Sequence, residues 1–284
     1  STHLTQHRKC HLMKNWTEPK QVRKARKARE KALTELAQLD QEMGLLDVAP
    51  LSSKNYVVCL KWGTKYSAEY VNKLYSMVNR NITIPYEFVC FTEDPKGIDK
   101  NIKTYPLPKI QADGWWYKPM FVGADLPING TLLFLDLDVI VFNNIDKLFT
   151  CAPKKFNIIR DFNRTQRPTW THMNSSVFRV EIGQYDNFWQ QFKKNPRTET
   201  LRLRGDQDWM YKHIKDHVFW PDEWIMSYKW EMRDRRDLKL DERRKRNFTI
   251  DAPPKIHPDT CIAVFHGEPN PADANDSWVK ENWR

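Results

Sequence analysis

Two aspartates separated by a single residue interrupt an otherwise apolar stretch of this 284-residue chain. Asp136 and Asp138 lie in residues 131–142, TLLFLDLDVIVF. In a strand, residues i and i+2 point the same way, so both carboxylates are expected on one side. Burying two like charges is costly unless protons, basic side chains or a metal compensate them. Hard oxygen ligands favour Mg²⁺ or Mn²⁺; the competing interpretation is a pair of aspartates that cap the turn at Asn143 and Asn144.

A histidine and a lysine elsewhere in the chain are candidates to complete such a site. His266 ends the apolar segment CIAVFHG (261–267), where Gly267 allows close backbone approach, and it is the candidate third metal ligand. A structural role is the alternative for this lone histidine. The chain has neither GxGxxG nor GxxxxGK[ST], so a phosphate must be held in another way. Lys118, just before a helix expected to begin at Pro119, is the candidate cation, and a surface lysine is the alternative.

The first elements of the globular body follow a β-α-β pattern. Residues 56–60 and 86–91 predict strands, and the apolar positions within 71–78 predict a helix between them. Such units form a parallel sheet with a right-handed crossover, and ligands bind beyond the carboxyl ends of its strands. The loop 61–66, Asp94 and the acidic pair are therefore expected at one edge of the sheet.

Polar residues also accompany two later elements. Further strands are predicted at 156–159 and 176–180, and an amphipathic helix at 183–194. The segment 174–176, Asn-Ser-Ser, leads into the second of these strands. The sequence RGDQDW at 204–209 opens another helix, for which Asp206 is the expected N-cap. Capping does not explain Gln207 and Asp208, and a polar cluster at the start of an aromatic helix is typical of a site that binds sugar hydroxyls.

Taken together, these segments resemble those of GT-A glycosyltransferases, and most closely glycosyltransferase family 8, the glycogenin and lipopolysaccharide galactosyltransferase type. The resemblance covers about residues 55–283 and is carried, in chain order, by Asp136-Leu137-Asp138, Asn174-Ser175-Ser176, Asp206-Gln207-Asp208 and His266-Gly267. It implies a Rossmann-like α/β fold with a mixed, mostly parallel sheet flanked by helices, here with an N-terminal helical extension. The family's late His-x-x-Gly-x-x-Lys-Pro-Trp pattern is not repeated after His266, so its phosphate-binding lysine has no counterpart.

The resemblance also implies ligands and roles. Asp136, Asp138 and His266 would hold Mn²⁺ or Mg²⁺ against the diphosphate of a nucleoside diphosphate sugar, expected to be UDP-linked. The residues expected to contact this donor are Lys61, Trp62, Tyr66, Asp94, Lys118, Asp136, Asn174 and Ser175. The expected catalytic residues, which face the donor sugar and a carbohydrate or other hydroxyl acceptor, are Asp206, Gln207 and Asp208. Family 8 transfers a hexose with retention, without a general base beyond the leaving phosphate, whereas an inverting reaction would use Asp208 as base.

Two other functional classes compete with this interpretation. The stretch around Asp136 also resembles the nucleophile motif of haloacid-dehalogenase-type Mg-dependent phosphatases, and 205–208 resembles their late acidic motif. Against this class, Val139 and Ile140 replace the glycine and threonine usual after that motif, and His266 would have no role. The other class is a non-catalytic carbohydrate-binding or assembly protein that docks through a basic helix.

That basic helix belongs to a predicted extension, residues 1–50, which precedes a glycosyltransferase domain at 51–284. Of the net charge of +10, residues 20–31 contribute about +6, from seven basic residues and one glutamate. Apolar or small residues follow a heptad-like spacing as far as Leu46. Residues 20–46 are expected to self-associate or to bind an acidic partner. Nucleic acid is not expected, because no aromatic residues interleave with the charges.

The cysteines and sequons give opposing indications of compartment. The five cysteines are odd in number, widely spaced and without a CxxC pair, which predicts reduced thiols. No apolar run approaches the roughly 20 residues of a transmembrane segment, and the first residues do not resemble a signal peptide. A cytoplasmic location is therefore expected. A secretory-lumen origin stays open because of seven Asn-x-Ser/Thr sequons, at Asn15, Asn81, Asn129, Asn163, Asn174, Asn247 and Asn275.

Overall fold

A computed structural model describes residues 20–42 and 53–284, and the chain divides into two units between Lys54 and Asn55. In the first unit, helix α1 spans Lys20–Glu42. The remaining heptad-like positions, Met43 and Leu46, lie outside the described residues, as does the predicted boundary at residue 50. Binding through residues 20–46 therefore stays a prediction.

The second unit contains the strands and helices of the body. The strands are β1 Asn55–Lys61, β2 Glu87–Thr92, β3 Lys103–Tyr105, β4 Thr131–Leu135, β5 Val139–Val141, β6 Asn157–Arg160, β7 Met173–Glu181, β8 Val218–Phe219, β9 Ile225–Ser227, β10 Leu238–Asp241, β11 Arg246–Thr249 and β12 Ile262–Val264. The α-helices are α2 Ala68–Arg80, α3 Asp146–Thr150, α4 Asp186–Lys194, α5 Pro196–Thr200, α6 Asp206–His213 and α7 Ser277–Asn282. Short 3-10 helices include Gly114–Val122 and Phe162–Thr165.

The largest sheet has seven strands in the order β3-β2-β1-β4-β7-β6-β8. Strands β3, β2, β1 and β4 run parallel to one another. β7 is antiparallel to both β4 and β6, and β8 is parallel to β6. Helix α2 connects β1 to the parallel β2, so the predicted β-α-β unit is confirmed. The predicted mixed, mostly parallel sheet flanked by helices is likewise confirmed.

Strand β4 lies in the middle of this sheet and is buried on both faces. All five of its residues are buried, which explains why its sequence is apolar without alternation. Phe134 packs against Phe178 of β7, with ring centroids 4.9 Å apart, and against Phe121, at 5.1 Å. After Leu135 the chain leaves the sheet, and β5 then enters a second sheet of order β5-β12-β9. Asp136 and Asp138 therefore occupy the connection between the two sheets.

Strand β7 carries an irregularity beside this connection. Its pairing with β6 shifts register, since Ile158 pairs with Phe178 whereas the next residue, Ile159, pairs with Asn174. The extra residues of β7 form a bulge, a feature that re-aims side chains near active sites. The segment 174–176 lies inside β7 rather than before it, which corrects the predicted strand boundary. The backbone amide of Asp136 donates to the Ser176 carbonyl at 2.8 Å, so the bulge is attached to the acidic segment.

Two predicted helix starts are wrong. The helix around Lys118 is a 3-10 helix that begins at Gly114, and Pro119 lies inside it. A 3-10 helix accepts this proline because its short turns leave few amide hydrogen bonds to lose. Helix α6 has Gly205 at its N-cap, so Asp206 is its first helical residue and its carboxylate is available for other contacts.

The cysteines differ from the prediction at one position. Cys59, Cys90 and Cys261 are free and buried, as expected of core thiols, and burial raises the pKa of the Cys261 thiol to about 12. Cys151 is disulfide-bonded, so the prediction of a reduced thiol is wrong there, because sequence spacing does not reveal which thiols meet in space. Cys10 lies outside the described residues. Among the described helices, none is both long enough and apolar enough to cross a membrane.

Candidate active site

A cavity of about 250 Å³ opens where β1 and β4 end. Its walls combine the loop after β1, the acidic connection after β4, the β7 bulge, the start of α6 and the segment after β12. The predicted residues that line it are Trp62, Tyr66, Lys118, Asp136, Asp138, Asn174, Ser175, Asp206, Gln207 and His266. Together with the 3-10 helix that carries Lys118, six separate segments of the chain thus converge at the carboxyl ends of the parallel strands, where this topology places ligand sites.

A buried lysine joins two of the carboxylates. The Lys118 ammonium lies 2.8 Å from Oδ1 of Asp136 and 3.8 Å from Oδ2 of Asp206. It also donates to the Ser175 carbonyl at 3.2 Å. Burial lowers the pKa of Lys118, but the charges of Asp136 and Asp206 outweigh burial, and the net shift is upward. Lys118 therefore stays protonated and neutralises part of the negative charge of the site.

Asp138, the second aspartate of the pair, has a raised pKa. Burial, together with the neighbouring Asp136 carboxylate, raises the pKa of Asp138 to about 6. The Tyr66 hydroxyl donates to Oδ2 of Asp138 at 3.4 Å and contacts Oδ1 of Asn270 at 3.2 Å. Burial and the two aspartate charges raise the pKa of Tyr66, so its hydroxyl stays protonated. Asp138 is thus a carboxylate whose charge another cation would stabilise.

His266 faces the same cavity from the segment after β12. Its Nε2 lies 2.6 Å from the Ser227 hydroxyl oxygen, and its ring stacks on Phe162 with centroids 5.1 Å apart. Burial and the nearby Lys229 charge lower the pKa of His266 to about 4, so the imidazole is neutral at pH 7. A neutral imidazole held on one side by a hydroxyl is the state in which histidine binds metals.

The candidate ligand residues are of chemical types that suit a divalent cation. Two carboxylates and one neutral imidazole, from Asp136, Asp138 and His266, line a single cavity. This combination suits Mn²⁺ or Mg²⁺, with the remaining positions open to ligand oxygens. Within residues 20–42 and 53–284, no three His, Cys, Asp or Glu side chains are gathered closely enough to form a complete metal site.

Asp206 has a buried oxygen without a hydrogen bond. The residue is 5% exposed, and its Oδ2 has no hydrogen-bond partner although Lys118 lies 3.8 Å away. Burial raises the pKa of this carboxyl group. This oxygen is closed off from solvent, and the Lys118 ammonium compensates its charge.

A second cavity, of about 710 Å³, lies beside the first and contains Asp208. Oδ1 of Asp208 lies 3.2 Å from Nε2 of His172, and Oδ2 accepts from the Arg204 amide, also at 3.2 Å. Asp206, Gln207 and Trp115 line both cavities. The predicted catalytic segment 206–208 therefore spans the boundary between them.

Two predicted donor contacts lie away from the first cavity. Lys61 is buried at the end of β1, and Asp94 is exposed and accepts from the Lys96 amide at 3.0 Å within its own turn. The loop after β1 instead contributes Lys65. Gly63, whose φ of 57° is left-handed, shapes this loop and donates its amide to the Glu93 side chain.

Several lining residues were missed by sequence reasoning. Trp115 is 48% exposed and contacts Trp62 edge-on, with centroids 6.5 Å apart. Its place in GWWYKPMF, close to Lys118, was the available signal. His172 and Tyr211 gave no such signal, because their relation to Asp208 depends on the contact between β7 and α6.

The fold resembles solved glycosyltransferase structures. The apo form of glycosyltransferase GlyE from Streptococcus pneumoniae TIGR4 matches with a TM-score of 0.51 at 11% sequence identity, covering 77% of this chain and 56% of that one. The apo structure of the bifunctional glycosyltransferase WbbM matches with a TM-score of 0.50 at 13% identity, covering 79% of this chain and 48% of that one. This chain thus spans about half the length of those structures. No protein-family model and no curated protein matches it.

These similarities define the fold of the body as the GT-A type found in glycosyltransferases. They confirm the predicted fold class. At 11–13% identity they do not extend to donor, acceptor or mechanism. Those properties rest on the residues of the site.

Proposed function

We propose that residues 55–284 transfer a sugar from a nucleoside diphosphate sugar, expected to be UDP-linked, to a hydroxyl group of a carbohydrate acceptor. One observation carries this proposal. In a GT-A fold, the cavity at the carboxyl ends of β1 and β4 combines the acidic pair Asp136 and Asp138 with the buried cation Lys118. An anionic diphosphate binds such a site when a metal and a lysine supply positive charge.

The donor would lie along the first cavity. Its nucleotide part would contact Trp62 and Tyr66 in the loop after β1, and its diphosphate would lie near Lys65 and the acidic pair. The donor sugar would reach the β7 bulge and the start of α6. There the side chain of Gln207, which lines the cavity, would contact a sugar hydroxyl. Lys61 and Asp94 do not line this cavity, so this arrangement gives them no contact with the donor.

Asp136, Asp138 and His266 are the residues that would hold Mn²⁺ or Mg²⁺. When bound, the cation would neutralise charge that develops on the departing nucleoside diphosphate. Ser227 would fix the imidazole tautomer: if its hydroxyl oxygen accepts from Nε2–H of His266, Nδ1 keeps a free lone pair. Lys118 would hold the Asp136 side chain in position, because the buried ammonium forms an ion pair with it at 2.8 Å.

In the reaction, the bond between the anomeric carbon and the phosphate oxygen breaks, and a bond to the acceptor oxygen forms. With retention, the acceptor proton passes to the leaving phosphate, and Asp206 and Gln207 orient donor and acceptor at the boundary of the two cavities. With inversion, the proton passes to Asp208, whose carboxylate His172 and the Arg204 amide hold in place. The resemblance to family 8 favours retention.

The experiment that tests the proposal is a thermal-shift panel of UDP, GDP, CDP and ADP sugars with Mn²⁺. At a concentration of about 100 times Kd, the true donor should stabilise the protein by about 2.7 kcal/mol. Hydrolysis of the same nucleotide sugar without acceptor should depend on the metal. If no nucleotide sugar raises the melting temperature and phosphate monoesters are hydrolysed instead, the phosphatase interpretation replaces this one.

The acidic pair gives a first prediction. Asp138→Asn should abolish calorimetric binding of UDP with Mn²⁺, because the amide removes a negative ligand beside Asp136. His266→Ala should weaken binding less, since both carboxylates remain. Asp99→Asn is the matched control, because Asp99 is exposed in the loop after β2 and does not line the cavity. Unchanged binding in Asp138→Asn would exclude the proposed cation site.

A further inference from the structure

Three cavities follow one another across the surface of the body. The donor cavity shares Trp115, Asp206 and Gln207 with the second cavity, of about 710 Å³. The second cavity shares Trp170, His172 and Tyr211 with a third, of about 470 Å³. Because each cavity shares lining residues with the next, the three lie side by side in a series, here called the track, that begins at the donor site.

The residues between the second and third cavities form a row of stacked rings. The rings of His172 and Tyr211 lie 4.2 Å apart with a 22° interplanar angle, and Trp170 lies 6.0 Å from His172 at 16°. All three are partly exposed. The rings cover one another's faces, and Arg167 and Lys215 lie over the Trp170 and Tyr211 rings. Their exposed parts line both cavities and give each an apolar wall against which a sugar ring can pack.

Hydrogen bonds fix the orientation of the polar group beside this row. Nδ1 of His172 contacts the Met173 backbone, and Nε2 of the same ring lies 3.2 Å from Oδ1 of Asp208. The carboxylate of Asp208 consequently lies ready to accept a hydroxyl in the second cavity, next to Asp206.

A single sugar would occupy only the part of this track next to the donor. Pockets of about 300–1,000 Å³ hold ligands of several rings, and both distal cavities fall within this range. The third cavity combines Trp170 and Tyr211 with Thr169 and Thr171, which offer hydroxyl partners. A monosaccharide acceptor bound beside the donor would make no contact with this third cavity.

From these contacts we infer that the acceptor is an oligosaccharide of at least two sugar units. Its terminal sugar occupies the second cavity between Trp115 and Asp208, and the preceding unit lies in the adjacent third cavity, alongside the row of Trp170, His172 and Tyr211. The assignment of the terminal and preceding units rests on the proposed glycosyl transfer. The binding of an oligosaccharide to the track can be measured without it.

The test compares p-nitrophenyl glycosides of one, two and three units, in glucose, galactose and mannose series, with the donor identified by the thermal-shift panel. With the wild-type protein, kcat/KM should rise by about tenfold or more from one unit to three, the ratio that about 1.4 kcal/mol of added binding gives. Trp170→Ala should lower this ratio towards one, and Trp170→Phe should restore part of it, because a ring remains. Tyr86→Ala is the control, because Tyr86 lies just before β2, at the amino ends of the parallel strands and therefore opposite the donor cavity.

A binding measurement separates the inference from the proposed function. Titration of tryptophan fluorescence with the trisaccharides should show saturable binding that Trp170→Ala weakens, whether or not transfer occurs. If the wild type hydrolyses no nucleotide sugar but binds the trisaccharide, the proposed function is wrong, whereas oligosaccharide binding to the track is supported. If transfer proceeds equally well to one and three units in every series, or a serine-containing peptide is the preferred acceptor, the inference is overturned.

Discussion

At the scale of single residues, the site depends on how its charges compensate one another. Asp136 and Asp206 both face the buried Lys118 ammonium, whereas the charges of Lys118 and Lys65 offset only part of the effect of burial on Asp138. Buried ion pairs add little net stability, but removal of one partner leaves the other charge buried and unpaired. Lys118 is therefore expected to support the folded site as well as ligand binding.

This consideration gives a prediction for Lys118→Met. The substitution should lower the free energy of unfolding by about 3–5 kcal/mol, because it leaves the carboxylates of Asp136 and Asp206 without their cation. Urea denaturation measures the change. The double variant Lys118→Met with Asp136→Asn should recover part of the loss.

Lys193→Met is the matched control for that experiment. Lys193 pairs with Asp125 at 2.6 Å, but both side chains are well exposed, at 39% and 44%. Loss of an exposed pair should cost less than about 1 kcal/mol. Equal losses for Lys118→Met and Lys193→Met would contradict the role assigned to the buried lysine.

At the scale of elements, one arginine ties the short helix α3 to the strand that bears the bulge. Arg179, on β7, is buried and pairs in register with Leu133 of β4. Its guanidinium donates to the carbonyls of Leu148, Phe149 and Cys151 at 2.7–2.8 Å. These carbonyls lie at the end of α3, where a helix leaves acceptors without partners. Burial lowers the pKa of Arg179 to about 10, and it still remains charged at neutral pH.

The loop that follows α3 depends on the same side chain. Ala152 and Lys154 have positive φ angles of 44° and 61°, which are unfavourable for residues with a Cβ. Arg179 donates to the carbonyls of Ala152 and Lys155, and to Oδ1 of Asn157 at 2.6 Å. The guanidinium thus holds a loop that would otherwise relax.

Arg179→Lys should consequently destabilise the protein despite conserving the charge. An ammonium has three donors and cannot reach all of these acceptors, and each buried carbonyl left unsatisfied costs about 1–3 kcal/mol. A loss of at least about 3 kcal/mol is expected in the free energy of unfolding, measured by chemical denaturation. Arg236→Lys, at an 87% exposed side chain, should leave the free energy of unfolding nearly unchanged. Comparable effects at the two positions would refute the capping role.

At the scale of the whole molecule, the body contains every residue assigned to the candidate site. All of these residues lie between Trp62 and His266, whereas α1 lies in the other unit of the chain. The predicted division of labour, with docking or self-association through residues 20–46 and chemistry in the body, leads to a simple experiment.

A chain that begins at Leu51 should keep nucleotide-sugar hydrolysis within a few fold of the full chain, while oligomeric state or partner binding changes. Light scattering and the hydrolysis assay measure the two properties. In the full chain, neutralising Arg23, Lys24 and Lys27 should weaken binding to an acidic partner and reduce its salt dependence, because salt screens exposed charges. A shortened protein that is folded but inactive would show that the extension completes the active site.

The sequence by itself determined the local features of this protein. Apolar runs placed β1, β2 and β4 to within one residue, and helical spacing placed α2 to within three residues. The apolar surroundings of Asp136 and Asp138 marked the acidic segment, and its position after a buried strand indicated the edge of the sheet. These inferences succeeded because they depend on neighbours in the chain, whose burial pattern the sequence carries directly.

The tertiary structure alone decided which distant side chains meet. The register shift in β7 brings Ser175 to Lys118, and the contact between β7 and α6 brings His172 to Asp208. Both depend on strand pairing and packing between segments far apart in the chain, for which local spacing carries no signal. For the same reason the sequence favoured Lys61 in the loop after β1, whereas in the folded chain Lys61 is buried away from the cavity and Lys65 lines it.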